Sequence, residues 1–159
     1  MSLRTLGRKV QMEILQQEGD VCELLFNQKR SQRACRLFLN QLKASNGLTR
    51  SEVNQFSRDL RDGKLEAGFR YSRTRFYAHV RKTLLTLGLV GIQQRPADNY
   101  RESFEPELRR RPRGIVDKYV PVRQPIAKRA PDGLNLVRLT WIICRKWNKE
   151  FFPDREEGK

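Results

Sequence analysis

Between Ala67 and Ala97 the chain carries Arg70, Arg73, Arg75, Arg81, Lys82 and Arg95 and not one Asp or Glu. Cations of these two kinds recognise phosphate: Arg with a planar two-pronged donor that also fits a guanine edge, Lys as a compact point charge. Interleaved with them are Tyr71, Ser72, Thr74 and Tyr77, whose hydroxyls can bond a phosphate oxygen, and Ala78, small enough to let the backbone come close to a ligand. A solvated helix face usually mixes the two signs of charge. Thirty residues without a counter-charge point instead to a surface shaped for a polyanion. A second cationic run, "RRRPRG", places Arg109, Arg110, Arg111 and Arg113 around Pro112. Arginines held extended by a proline suit a narrow minor groove, where the negative potential is enhanced; the bland reading is a solubilising loop.

Catalytic chemistry finds little to work with. His79 is the single histidine, so metal sites and His-dependent nucleophilic catalysis are hard to build. Two-metal nucleases need clustered carboxylates, and the nearest group, Glu102, Glu105 and Glu107, lies beside the loop arginines. There is no phosphate-cradling glycine loop and no GxSxG. A strand-transfer site built from arginine, His79 and Tyr77 lacks the recurring histidine–arginine spacing such chemistry requires. The expectation is a binding protein without cofactor or metal.

The whole chain supports a polyanionic partner. Its 159 residues carry a formal net charge of +15, and the sequence pI is about 10.5. Residues 1–66 hold 12 basic and 8 acidic groups, 67–100 hold 6 and 1, 101–130 hold 9 and 4, and 131–159 hold 6 and 5. The excess therefore sits in the middle of the chain and is not a basic tail. Cys22, Cys35 and Cys144 are odd in number and widely spaced, which fits reduced core thiols of an intracellular protein and neither a disulfide framework nor a zinc site. No signal peptide and no run of membrane-spanning length is expected, so a membrane is not among the expected partners.

The elements that must position these residues are mostly helical. Leu3, Leu6, Val10 and Ile14 mark an N-terminal helix; Asp20 with Glu23 resembles a cap for the short turn "VCELLF". A helix is expected from about Gln32 to Ala44, with Cys35, Phe38, Leu39 and Leu42 inward, ended by Asn46-Gly47. Thr49 and Glu52 form a capping box for the next helix, which buries Val53, Phe56 and Leu60 and stops at Asp62-Gly63. Ser72 caps a third helix. At 100° per residue from Phe76, the side chains of Val80, Leu84 and Leu87 share one stripe, while Thr74, Arg75, Ala78, Arg81 and Lys82 lie on the far side. Gly88 ends it. Leu89, Val90 and Ile92 read as a short strand, and "GIVDKYVPVR" as its partner, with a long polar connection from about Pro96 to Arg113. "QPIAKRAPDG" reads as a linker, and Asp132 as the cap of a last helix with Leu136, Val137, Leu139, Trp141, Ile143, Cys144, Trp147 (or Asn148) and Phe151 on its apolar side.

Helix, capped helix, third helix ending in "LLTLGLVG", strand, long turn, strand: over Arg33 to Arg123 this order resembles the winged helix-turn-helix superfamily. The resemblance implies a mainly α fold with a small antiparallel β-hairpin, a winged-helix core at 33–123, an N-terminal helical extension at 1–32, and a linker with an amphipathic helix at 124–159. It implies a third helix in the major groove of double-stranded DNA and a basic wing on the backbone or minor groove. Arg70, Tyr71, Ser72, Arg73, Thr74, Arg75, Tyr77, Ala78, Arg81 and Lys82 are the candidate contacts on and before that helix. Arg95, Lys118, Arg109, Arg110, Arg111 and Arg113 are those on the hairpin. The expected function is sequence-preferring DNA binding as a transcriptional regulator, with homodimer contacts from the terminal helices. The alternatives are a structural nucleic-acid binder that reads backbone and shape, and a protein–protein adaptor.

Overall fold

Asp20 opens the described part of the chain. The computed structural model describes residues 20–96, 115–133 and 135–153; the expected N-terminal helix and the arginine run at 109–113 lie outside these residues. The molecule is mainly helical with a small three-stranded antiparallel sheet. It divides into two units: residues 36–122, and a second built from the chain on either side, described at 20–35 and 123–153.

In the 36–122 unit, helix α2 (Lys29–Ser45, its first turns belonging to the other unit) ends where Asn46 and Gly47 take positive φ. Strand β1 (Leu48–Thr49) follows at once. It is too short to show any periodicity in the sequence, and it was not expected. Helix α3 (Arg50–Asp62) starts with the full capping box: the Glu52 N–H donates to Thr49 Oγ1 at 3.1 Å and the Thr49 N–H to Glu52 Oε1 at 3.2 Å. Gly63 closes it at φ 74°, a left-handed conformation that costs glycine no steric clash.

A continuous helix, α4, then spans 73–86 in three segments: α-helical Arg73–Arg75, π-helical Phe76–Arg81 and α-helical Lys82–Thr86. Ser72 caps it, its hydroxyl oxygen accepting the Arg75 N–H at 3.2 Å. The π turn shows at Lys82, whose N–H reaches the Tyr77 carbonyl five residues back. A wider turn advances each residue by less than the α-helical 100°, and this resets the faces of the helix. Phe76, Val80 and Leu84 stay buried, but Leu87, expected inside, swings out and is 54% exposed. Conversely, Arg81 turns from the outer face toward the sheet.

The packing explains why the helices stay together. Phe38 of α2, Phe56 of α3 and Phe76 of α4 meet as a triad with ring centroids 5.2–5.3 Å apart, one ring from each helix. Such tilted and edge-on pairs add roughly 0.5–1.5 kcal/mol each beyond the burial of their area. Strands β2 (Val90–Pro96) and β3 (Ile115–Pro121) pair antiparallel from Val90↔Pro121 to Pro96↔Ile115. Because β1 pairs on the other edge, Leu48↔Tyr119 and Thr49↔Lys118, the strand order is β1-β3-β2 and β3 is central.

In the other unit, α1 (Val21–Leu25) packs on α5 (Leu136–Phe151). The cap of α5 is Asn135, which accepts the Arg138 N–H at 3.1 Å, and not the expected Asp132. Gly133 at φ 87° cannot lie in a helical turn, so the start is delayed past it. Trp147 and Asn148 are buried, but Leu136 and Val137, expected on the apolar side, are 71% and 64% exposed. The segment read as a linker is bonded along α5: Gln124 and Asn148 exchange two hydrogen bonds of 2.8 Å, and Trp141 Nε1 donates to the Ala127 carbonyl at 2.8 Å. Among the described residues, no helix is long and apolar enough to cross a membrane.

Candidate nucleic-acid interface

The outward face of α4 is set by what lies beneath it. With Phe76, Val80 and Leu84 held in the core, Ser72, Thr74, Ala78, His79 and Lys82 are exposed, and Ala78 lies at the middle of that face. Ser72 spends its oxygen on the cap and keeps its hydroxyl proton to donate. Arg75 is half-buried, its guanidinium 5.3 Å from the centre of the Tyr71 ring. That stacking fixes a planar group at the entrance to α4.

Other expected contacts are turned to internal work. Tyr71 is 2% exposed, with its N–H donated to the Leu60 carbonyl at 3.2 Å and its ring stacked on Phe69. It is a core residue, because the chain must fold back onto the end of α3 before α4 can start. Arg73 donates from Nε to Ser57 Oγ at 3.0 Å and from Nη2 to Asn54 Oδ1, so it ties α4 to α3. Arg81 donates from Nη1 to the Tyr119 hydroxyl at 3.2 Å and lies 5.1 Å from the centre of the Tyr77 ring. The π turn brings it there. Tyr77 is half-buried, carrying Arg81 on its ring and an edge-on contact with Phe76. Lys118 is 4% exposed, since β3 has a strand on both sides and the Lys118 stem lies over Gly47. It is removed from the solvent-facing set.

Arg70 is exposed but lies against the turn that ends α3, its stem over Gly63. There the Asp62 carboxyl is held below its ordinary pKa, first by the Arg61 hydrogen bond and also by the charges of Arg61, Lys64 and Arg70. Arg95, on β2, is half-buried and donates to Gln93 Oε1 at 3.2 Å. Arg109, Arg110, Arg111 and Arg113 fall outside the described residues.

Sequence reasoning missed the partners that consume these cations. Asn54 and Ser57 stand three apart on α3, a spacing that places them on one face, but nothing in their types marks them as receptors for Arg73. Tyr119 is itself buried on β3 and carried the one available hint, a phenol on a strand flanked by Lys118 and Val120. Among the described residues no group of His, Cys, Asp or Glu has the arrangement of a metal site. No protein-family model, curated protein or solved structure matches the chain.

Proposed function

We propose that the protein binds double-stranded DNA through α4 as a winged-helix domain and reads base sequence with that helix. The observation that carries this reading is the exposed face Ser72, Thr74, Ala78 and Lys82, set on a helix whose opposite side is locked in the core, in a stretch without any acidic residue. The order α2, α3, α4 and then the β2–β3 hairpin supports it, since it keeps the arrangement of the resemblance. The roles divide by geometry. Lys82 is a phosphate contact. Arg75, stacked on Tyr71, is pre-organised for a two-pronged bond to a guanine edge, and Thr74 and Ala78 offer methyl groups to thymine.

The test is selection from a random duplex pool run beside a matched RNA pool. Enrichment of one duplex motif is expected. Against that motif, Arg75→Ala costs on the order of 1–3 kcal/mol and relaxes one base, whereas Lys82→Ala weakens all sequences alike and lowers the salt slope by about one. A pool that returns no enriched sequence, or tighter binding of RNA than of any duplex, rejects the reading.

A further inference from the structure

Residues 123–131 form a strap along α5. Three of its carbonyls are bonded by α5 side chains: Gln124 by Asn148, Ala127 by Trp141 Nε1, and Pro131 by Arg138 Nη1 at 3.5 Å. The attachment points ascend the strap as 124, 127, 131 and descend the helix as 148, 141, 138. The strap is therefore antiparallel to α5, and its attachment points are spread over ten helical steps, about 15 Å. Each of these bonds uses strap backbone, and none uses the side chains of Arg123, Lys128 or Arg129. Arg123, Lys128 and Arg129 are exposed, and no described carboxylate pairs with any of them.

The surroundings keep the same sign. From Arg123 to Pro153 the cations are Arg123, Lys128, Arg129, Arg138, Arg145, Lys146 and Lys149, against Asp132 and Glu150. Beside the strap, the guanidinium of Arg145 lies 5.1 Å from the centre of the Trp141 ring, and that ring is oriented by its own bond to Ala127. Exposed cations on a strap anchored through its backbone, next to an oriented aromatic ring, suit a sugar-phosphate strand. A span of about 15 Å corresponds to roughly four nucleotides of one strand at about 3.4 Å each.

We propose that the strap is a second nucleic-acid-binding surface, which takes the phosphodiester backbone without regard to sequence. It goes beyond the role of α4, and nothing in its derivation uses that helix.

The experiment uses the full chain and a labelled duplex, titrated from about 50 to about 200 mM salt, in which each lost phosphate contact lowers the slope of log affinity against log salt by about 0.9. In the triple variant Arg123→Ser, Lys128→Ser, Arg129→Ser the slope is expected to fall by roughly 2–3 and affinity by about tenfold or more, equally for all sequences. The charge-conserving variant Arg123→Lys, Arg129→Lys is expected to bind like the parent, which separates loss of charge from loss of fold. Unchanged slope and affinity in the serine variant overturn the proposal. So does a serine variant that loses binding to phosphatidylserine vesicles while its duplex binding stays intact, since the strap would then serve a lipid surface. Failure of α4 reads differently: Arg75→Ala and Lys82→Ala would have no effect on base preference, while the strap variant would still lower the slope.

Discussion

Arg73→Ala separates a fold-holding cation from a ligand-holding one. Arg73 donates two hydrogen bonds to α3, one to Ser57 Oγ at 3.0 Å and one to Asn54 Oδ1. Bonds to a charged group contribute about 1.5–3 kcal/mol when desolvated. Arg73 is half-exposed, so water replaces part of that, and the discount brings the pair to about 1–2 kcal/mol. Ser57 is fully buried but still donates to the Asn54 carbonyl at 2.6 Å, which limits the penalty left behind. With a urea dependence of about 2 kcal/mol per molar, the unfolding midpoint should fall by roughly 0.5–1 M at unchanged slope. Arg73→Lys should not restore it, because one ammonium cannot reproduce the planar two-pronged geometry. A double-mutant cycle with Asn54→Ala should return a coupling of about 1 kcal/mol. If Arg73→Ala keeps full stability and loses only duplex affinity, the side chain points at the ligand and the division of labour on α4 is wrong.

Phe76→Ala should cost about 3–5 kcal/mol in chemical denaturation, since a fully buried ring leaves a cavity between Phe38 and Phe56; a loss under about 1 kcal/mol would show that the triad does not hold α4. Tyr119→Phe removes the acceptor for Arg81 Nη1, whose neighbouring Nε is already buried without a partner, and should cost about 1–2 kcal/mol in the same assay. No change there would place Arg81 in solvent. Native-state alkylation should leave buried Cys22 and Cys35 unmodified and label Cys144 slowly. Burial raises the Cys144 thiol above its ordinary pKa, so less thiolate exists at neutral pH and the labelling rate should keep climbing above the usual thiol range. Rapid labelling of Cys144 at neutral pH would contradict that environment.

Local chemistry determined a good deal of this protein. Thr49 and Glu52 close a ring within four residues, Ser72 caps its own helix, and Gly63 and Gly88 supply positive φ where α3 and α4 must stop. These features depend on atoms a few residues apart, so their types and spacing suffice. The inward set Phe38, Phe56, Phe76, Val80 and Leu84 was likewise legible, because an amphipathic period survives whatever the helix packs against.

Only tertiary structure decided the rest. An α-helical period cannot reveal a π turn, which depends on backbone bonds; that one change moved Leu87 out and Arg81 in. Burial of Lys118 follows from β3 becoming central, a consequence of pairing with a two-residue strand far away in the chain. Strap and helix meet through side chains reaching backbone carbonyls 7 to 24 residues away, and carbonyls are the same at every position. Charge content is a property of the sequence. Which cations remain available to a partner is settled by long-range packing, because a guanidinium bonds whatever acceptor the fold brings to it.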